Sequence, residues 1–458
     1  MERSNNKSIS TIFQYLIALS VMVIILLCIG HIYYNTVILL AAFFVFFLIV
    51  LYSSLNAIAV PILLFFLPWS PLIKFSPDQM SLYTVAFFGI CLIAFINNYN
   101  KINFNYIISA VLLFIITGFS KLINGYSIDK SYILFFIFLV LFPSLLSEIE
   151  SKYDYYILTF LFSTGIVTAA FASKQLATYG SISRYIDVYY WEQMGITRYS
   201  GFYGDSNFYS AQITVALCGI MILLIQKQTK KRYITLVVSA LLLIYSGLLG
   251  ASKTFVIYTI IMFVLWFLYV LFMKNRFSSK VLLIVSCIVI AVFIAISGVF
   301  SDVLDVVFTR FGQGTDFQTL TTGRGDIWRM YIVVLLNDIK ILFLGQGFTN
   351  TNVAGHASHN TIIQAVYQFG IVGLTFFILW VLSAFSVPIR SINFKKINFI
   401  LLLILIVGCF GLWLSLDLLF FDELFLVSFY FVYSMIWCSQ TKTNYIVGNK
   451  NEPDGENL

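Results

Sequence analysis

The chain has 458 residues, of which 60% are hydrophobic and 10% are charged, and its formal net charge at pH 7 is +7. Soluble globular domains carry about 25% charged residues, so this composition excludes a soluble globular fold. The basic residues lie mostly in short segments between apolar runs, where they flank a membrane, so the positive charge implies no nucleic-acid partner. The six cysteines lie in or beside apolar runs without CxxC spacing, which predicts neither disulfides nor metal ligands.

The apolar runs predict an all-α polytopic membrane protein that forms a single integral membrane domain over residues 1–458. At about 20 apolar residues per crossing, they give about fourteen transmembrane helices, or twelve to thirteen if the second and third runs, joined only by Ser53-Ser54, are counted differently. The first run is too long and uninterrupted for a cleaved signal. The predicted spans are 11–30, 32–52, 55–72, 81–97, 102–119, 131–147, 156–175, 207–226, 232–249, 253–273, 280–300, 360–384, 397–415 and 422–438.

Lysine and arginine in the short loops predict the orientation. Three basic clusters, at 227–232, 274–280 and 390–396, fall on one side under the fourteen-span prediction, and that side also receives both termini. Cytoplasmic loops carry the excess of basic residues, so this side is predicted to be cytoplasmic and to include a tail at 440–458. Residues 176–206 and 301–359 then form two outer loops, the second of which is large and contains the chemistry described below.

The first outer loop ends in a glycine-containing turn that runs directly into a span. Asp205, Ser206 or Asn207 could cap the following helix. Arg198 cannot cap, because a helix N-terminus repels a cation. It should therefore lie near a bound anion or near the carboxylate of Asp205, and both alternatives are open. Lys253, at the outer mouth of the tenth predicted span, could either extend to the membrane interface or hold a phosphate.

The large outer loop contains an apolar stretch, 327–336, that is too short to cross a membrane. This stretch predicts an interfacial or re-entrant helix with Trp328 and Tyr331 at the level of the lipid headgroups. Arg324 lies in a Gly-Arg-Gly turn just before the predicted helix. A guanidinium beside helix N-terminal amides forms an anion-binding site, although a mere connecting loop is the plainer alternative.

Two of the three histidines, His356 and His359, end this loop, and Asn360 is a predicted N-cap for the span that follows. The positive end of that helix disfavours imidazolium, which predicts a neutral His359 able to act as a general base. Metal binding by the two histidines is the rival interpretation. No cysteine or clear carboxylate completes a ligand set, so we expect no metal and no other cofactor.

His359-Asn360, followed nine residues later by Gly370 and two residues after that by Gly373, resembles the pattern of bacterial O-antigen ligases and the related O-antigen and capsular polysaccharide polymerases. The resemblance extends over about residues 195 to 385. It includes Arg324 with Trp328, the Gly345-Gln346-Gly347 segment, and the segment from Arg198 to Asn207. Two departures exist: Ser252-Lys253 replaces the usual Ser-Arg, which puts the role of Lys253 in doubt, and a proline often found before the Gly-x-Gly segment is absent.

The resemblance implies a GT-C-like glycosyltransferase that needs no metal. It would polymerise undecaprenyl-diphosphate-linked oligosaccharide repeat units, by inverting transfer, at the outer face of the bacterial inner membrane. Its partners would be the lipid-linked donor glycan, the acceptor glycan and membrane lipids, with a chain-length regulator as an optional partner. The implied roles are His359 as the base, Arg198, Arg324 and Lys253 as the diphosphate-binding cations, and Asn360, His356, Asp205 and Trp328 as supporting residues.

Two other functions fit the sequence. An O-antigen ligase, which transfers finished polysaccharide to a lipid acceptor, would use the same donor chemistry. A lipid-linked oligosaccharide flippase or other transporter would also have about a dozen spans, but transporters usually carry charges within their spans and repeat one half in the other. This chain has few charges in its predicted spans and shows no internal repeat.

Overall fold

A computed structural model of the chain describes ten stretches of it. These are residues 2–56, 58–146, 155–186, 188–191, 196–225, 228–272, 301–312, 323–349, 352–384 and 399–417.

The described residues form a helical bundle. Its first half contains α1 Glu2–Ile32, α2 Thr36–Leu55, α3 Ala59–Phe66, α4 Leu82–Asn97, α5 Phe104–Ile123, α6 Lys130–Leu141, α7 Pro143–Leu146 and α8 Tyr155–Leu176. Its second half contains α9 Ser206–Ile225, α10 Lys230–Leu249, α11 Lys253–Phe272, α12 Ser301–Gly312, α13 Arg324–Asn337, α14 Ile339–Leu344, α15 Thr361–Ala384 and α16 Phe399–Phe410. The described 3-10 segments are Leu67–Leu72, Tyr99–Lys101, Gly180–Tyr185 and Gly411–Leu414.

Eight of the described helices are long and apolar enough to cross a membrane, which makes the chain a multi-pass membrane protein. They are α1, α2, α5, α8, α9, α10, α11 and α15. Four shorter apolar segments, 59–72, 82–97, 130–145 and 399–414, coincide with four further predicted spans. The predicted spans at 280–300 and 422–438 and the tail at 440–458 lie outside the described residues, and the total count and the orientation of the termini stay predictions.

A small β hairpin lies between α8 and α9, in the first of the two predicted outer loops, and the sequence analysis did not predict it. Strand β1 Val188–Trp191 pairs antiparallel with β2 Ile196–Tyr199, with Tyr189 opposite Arg198. Both strands are rich in aromatic and β-branched residues, which favour extended backbone. The hairpin fixes the backbone of Arg198 shortly before α9 begins.

Helix α9 lies at the centre of the bundle. In its membrane-length window 83% of the residues are buried, compared with 22% to 56% for the other seven candidate spans. It packs against α8, α10, α11 and α16. A helix that is apolar on every face is expected in such a position, because it meets other helices on all sides. The N-terminus of α9 is therefore held rigidly, and the candidate site is built around it.

Helix α15 is kinked at Gly370, where the backbone leaves helical geometry with φ 64° and ψ 177°. The segment that follows α14 pairs with the helix at this kink: the Gln346 amide donates to the Tyr367 carbonyl at 2.8 Å, and the Gly347 amide donates to the Gln368 carbonyl at 2.9 Å. Buried carbonyls require such partners wherever a helix is interrupted. The Gly-x-Gly segment thus supplies hydrogen bonds to the broken helix.

Glycine is required at the kink because two backbones touch there. A Cβ on Gly370 would lie 2.4 Å from the Phe343 carbonyl oxygen, and one on Gly345 would lie 2.4 Å from the Gln368 carbonyl oxygen. Both glycines have positive φ, which side chains rarely adopt. The spacing between His359-Asn360 and Gly370 therefore joins a polar turn to a structural kink.

Gly370→Ala is expected to destabilise the folded protein by about 2–4 kcal/mol, from overpacking and left-handed backbone strain together. Gly125→Ala is the control, because Gly125 also has positive φ but no atom lies within 4 Å of an added Cβ. Thermal unfolding in detergent, followed by size-exclusion chromatography, measures both. Equal midpoints for the two variants would contradict the close packing at Gly370.

Candidate active site

The candidate site gathers four segments at the N-terminal end of α9. They are the turn Arg198–Asn207, the connection from α10 to α11, the start of α13 and the turn before α15. Side-chain hydrogen bonds join the first two segments. The charge of Asp205 acts on Arg324 in the third segment and on His359 in the fourth, so both lie within electrostatic reach of it. The sequence predicted site residues in all four segments.

Asp205 caps α9, because its Oδ1 accepts a hydrogen bond from the Asn207 amide at 2.6 Å. This confirms the capping role that the sequence predicted for one residue of the Asp-Ser-Asn run. Arg198 reaches the same helix start: its guanidinium donates to the Ser206 hydroxyl, and its Nε donates to the Gly250 carbonyl at 3.2 Å. Arg198 therefore lies beside the capped end of α9.

The connection between α10 and α11 is tied to the same point. The Ser252 hydroxyl donates to Asn207 Oδ1 at 3.0 Å, and Ala251 adopts a positive φ of 46°. Lys253 is the first residue of α11. The position of Ser252 places the start of α11 next to that of α9, at the same end of the bundle as Arg198.

The turn before α15 is anchored by Asp417, which the sequence analysis left without a role. The Asp417 carboxylate accepts hydrogen bonds from the Ser358 hydroxyl at 2.6 Å, the His359 amide at 3.0 Å and the Asn360 amide at 2.9 Å. His359 has a φ of 48°, an unfavourable conformation for a residue other than glycine. The carboxylate therefore holds His359 in a backbone geometry that the free chain would avoid.

Asn360 caps α15, as predicted, because its Oδ1 accepts from the amides of Ile362 at 3.0 Å and Ile363 at 3.1 Å. Trp328 supports the histidine turn from α13, since its indole Nε1 donates to the Ser358 carbonyl at 3.0 Å. The side chain of His356 is exposed, whereas that of His359 is half-buried. Of the two histidines, His359 is thus the one enclosed by the site.

Two expectations about α13 need correction. Tyr331 is fully buried and donates through its hydroxyl to the His356 carbonyl at 2.9 Å, so its side chain is enclosed by the protein and does not face the lipid headgroups. Arg324 is the first residue of the helix, after Gly323 as N-cap with φ 80°, and not a residue of a turn preceding it. The face of α13 that carries Tyr331 packs against Tyr367 of α15, while Ile332, Val333 and Leu336 of the same helix are exposed.

The electrostatics of the site favour a neutral His359. Burial lowers the pKa of the His359 imidazole below its ordinary value of 6.5, and the positive charge of Arg324 lowers this pKa further. Asp417 and Asp205 act in the opposite direction. The sequence argument reached the same protonation state through the helix dipole, but burial and Arg324 are the causes that the structure supplies.

Arg324 is half-buried, and burial lowers the pKa of its guanidinium, while Asp205 and Asp417 raise it. The three groups therefore lie within electrostatic reach of one another and of His359. A guanidinium stays protonated near pH 7 under such shifts. The site thus places a fixed cation next to an uncharged imidazole, in a partly desolvated environment where charge interactions are strong.

The described residues include no group of three or more His, Cys, Asp or Glu side chains that could hold a metal ion. His356 and His359, the two histidines of the rival metal interpretation, lie in a turn and not on a helix, and His356 pairs with Val353 in an isolated bridge. Of the cations that the sequence predicted for a diphosphate, Arg198 lies at the start of α9 and Arg324 lies within electrostatic reach of His359.

Asp417 could have been found from the sequence by one signal. A carboxylate near the end of an apolar run is expensive to keep beside the hydrocarbon core and usually has a functional or structural partner. Asp417 is buried, with 5% of its surface exposed, and its carboxylate can be buried because it accepts three hydrogen bonds. The partner residues, 57 to 59 positions earlier in the chain, have no sequence signal that links them to it.

If His359 acts as the base that the sequence predicts, Asp417→Ala is expected to slow turnover by about 10²-fold, because a displacement of about 1 Å in a catalytic group has an effect of that size. Asp338→Ala is the control: Asp338 also accepts two backbone amide hydrogen bonds, at the start of α14, but none of them involves the histidine turn. The rates of the two purified variants, at equal folded protein, make the comparison. A rate for Asp417→Ala as high as that of Asp338→Ala would contradict the anchoring role.

No model of a known protein family, no curated protein and no solved structure matches the chain.

Proposed function

We propose that this membrane protein is a glycosyltransferase that polymerises undecaprenyl-diphosphate-linked oligosaccharide repeat units into O-antigen or capsular polysaccharide at the outer face of the bacterial inner membrane. The observation that carries the proposal is the pairing of a half-buried imidazole, with a lowered pKa, and a half-buried guanidinium at one site. The resemblance of the histidine motif to O-antigen ligases and polymerases supports the same reaction.

His359 supplies the base. A sugar hydroxyl of the acceptor attacks the anomeric carbon of the donor, and its proton passes to the neutral imidazole as the new glycosidic bond forms. General-base catalysis of this kind contributes about 10²–10⁴ in rate. The lowered pKa keeps the His359 imidazole unprotonated near pH 7. The hydrogen bond from the His359 backbone amide to the Asp417 carboxylate fixes the position of the residue.

The arginines act on the other end of the reacting bond. As the anomeric carbon–oxygen bond breaks, undecaprenyl diphosphate leaves with the electron pair, and its negative charge grows. Arg324 and Arg198 stabilise that charge by charge-assisted hydrogen bonds, with Lys253 as a third candidate cation. Attack from the face opposite to the leaving group inverts the anomeric configuration. Because guanidinium groups supply the positive charge, the proposed reaction needs no metal.

The glycans of a deletion strain test the proposal in cells. Loss of a polymerase leaves single repeat units on the surface lipid, and a plasmid copy of the gene should restore long chains where the His359→Ala copy does not. Long chains that accumulate on undecaprenyl diphosphate would instead indicate an O-antigen ligase, which uses the same donor chemistry with a different acceptor. An unchanged glycan profile would contradict both.

The pH dependence of turnover tests the electrostatics of the base. The neutral imidazole is the active form, so kcat/KM should fall only on the acidic side, below the ordinary histidine pKa of 6.5. Asp205→Asn removes a charge that raises this pKa, so the acidic fall should move to lower pH. Arg324→Gln removes a charge that lowers it, so the fall should move to higher pH. Shifts in the same direction for the two variants would show that His359 is not the titrating base.

A further inference from the structure

A concave site lies beside the turn that precedes α9. It is a cavity of about 360 Å³, formed where the 3-10 segment Leu67–Leu72 and the start of α4 meet the 3-10 segment Gly180–Tyr185 and the turn Phe202–Gly204. This volume lies within the range of small-molecule sites. Gly204 directly precedes Asp205, which caps α9 and acts electrostatically on His359. One residue of the cavity wall is therefore adjacent in the chain to the residue that caps α9.

The lining of the cavity combines three kinds of groups. Two cations, Lys74 and Arg184, are present, and the described lining residues include no carboxylate. Hydroxyl-bearing and aromatic residues form much of the remaining wall, together with Pro71, Pro77, Gln79, Met80 and Gly204. The hydroxyl residues are Ser70, Ser81 and Thr84, and the aromatic residues are Tyr185, Phe202 and Tyr203. Rings that present an apolar face and hydroxyls that donate or accept are groups suited to a sugar, whereas cations suit an anionic substituent.

The walls are fixed by contacts within the protein. The Tyr203 hydroxyl donates to the Leu67 carbonyl at 2.7 Å, and the Tyr185 hydroxyl donates to the Phe75 carbonyl at 3.0 Å. The rings of Trp69 and Phe202 pack with their centroids 5.3 Å apart. A cavity with such walls is formed before a ligand arrives, so binding requires little ordering of the protein.

The two cations are also positioned by aromatic rings. The Lys74 ammonium lies 5.9 Å from the centroid of the Tyr185 ring, and the Arg184 guanidinium lies 5.2 Å from that of Tyr34. A neutral sugar in the cavity would offer hydroxyls that accept hydrogen bonds from these cations. A carboxylate or phosphate on the sugar would accept charge-assisted hydrogen bonds, which are shorter and roughly twice as strong, so the cations favour an anionic sugar.

We propose that this cavity is an acceptor subsite that binds an anionic sugar unit, one carrying a carboxylate or a phosphate, and so presents its glycan to His359. The proposal rests on the proposed glycosyl transfer and adds a substrate class to it: the growing chain contains a negatively charged sugar. Phe202, Tyr203 and Gly204 form the direct connection between the cavity and the cap of α9. A chain bound through its anionic unit would then extend its neighbouring residue towards the base.

Saturation-transfer NMR with purified protein in nanodiscs tests the proposal. The probes are methyl glucuronide, glucose 6-phosphate and methyl glucoside, which separate the carboxylate and phosphate sources from a neutral sugar. At least one anionic probe should bind, and the neutral probe should bind about tenfold more weakly or not at all. Equal binding of the neutral probe, or no binding of either anionic probe, would overturn the proposal.

Substitutions locate the binding. The Arg184 side chain is exposed, so Arg184→Gln should leave the fold intact. This variant should bind the anionic probe about tenfold more weakly, and the Lys74→Gln, Arg184→Gln double variant should bind it more weakly still. Arg329→Gln, an exposed arginine of α13, is the control and should have no effect. Unchanged affinity for the anionic probe in the folded single and double variants would overturn the proposal. It would also be overturned if these variants bound the sugar probes normally and lost binding of the lipid-linked donor instead.

His359→Ala separates this inference from the proposed function. Because His359 does not line the cavity, this variant should keep its affinity for the anionic probe while it loses turnover. Normal turnover in His359→Ala would contradict the proposed mechanism without touching the subsite. Binding of anionic probes that is lost in His359→Ala, with the protein folded, would contradict the placement of the subsite in the cavity.

Discussion

His359→Ala is expected to lower the rate of the chemical step by about 10²–10⁴ while the lipid-linked donor still binds. The substitution removes the proposed proton acceptor but leaves the arginines that are proposed to bind the diphosphate. The hydrogen bond between the residue-359 amide and Asp417 does not depend on the side chain, so the turn keeps its anchor. Single-turnover rates and donor affinity, measured on purified protein in nanodiscs, separate the two effects.

His356→Ala is the matched control for this substitution. The His356 side chain is exposed, and the structure uses its backbone carbonyl, which accepts from Tyr331, to hold the turn. A change confined to the side chain should therefore alter the rate by less than about threefold, which corresponds to less than 1 kcal/mol. If the two histidine variants lose equal activity, or if His359→Ala abolishes donor binding, the role of His359 as the base is wrong.

Arg324→Ala is expected to weaken donor binding and to slow turnover together, the latter by about 10²–10³, the effect of removing one donor that stabilises developing charge. The guanidinium is half-buried at the start of α13 and lies near two carboxylates, which keep it in the site when no anion is bound. Arg324→Lys should restore only part of the loss, because an ammonium does not offer the planar pair of donors.

Arg329→Ala, on the same helix but exposed, is the control for Arg324→Ala. The comparison should be made at pH 8, where His359 is neutral in both variants, because Arg324 also lowers the pKa of His359. Donor affinity and single-turnover rate are measured in parallel. Wild-type binding and rate in Arg324→Ala would remove this residue from the diphosphate site.

The helices were predictable because apolar runs of membrane length leave the chain few alternatives. Asn360, and a cap among residues 205–207 that the structure assigns to Asp205, were predictable for a similarly local reason: each precedes a long apolar run, and a cap is determined by the residues just after it. The structure places both caps, together with Arg198 and Arg324, at one end of the bundle, where the sequence analysis expected the chemistry.

The parts that the sequence did not predict depend on contacts between distant residues. Asp417 meets the histidine turn across nearly sixty positions, and Gly345 meets Gly370 through backbone atoms alone. The pattern of residues around Tyr331 indicated a helix at the membrane surface, yet tertiary packing buries this side chain. The β hairpin that carries Arg198 was missed because two four-residue strands are too short for a clear alternating pattern.

The reaction of purified protein with its lipid-linked donor tests the central proposal most directly. The protein in nanodiscs is incubated, in excess chelator, with the undecaprenyl-diphosphate-linked repeat unit extracted from the source strain, and mass spectrometry follows the products. We expect lipid-linked glycans of two or more repeat units, one free undecaprenyl diphosphate for each bond formed, and no product with His359→Ala. A donor that stays unchanged in the presence of folded wild-type protein, with or without restored divalent metal, would contradict the proposed polymerase activity.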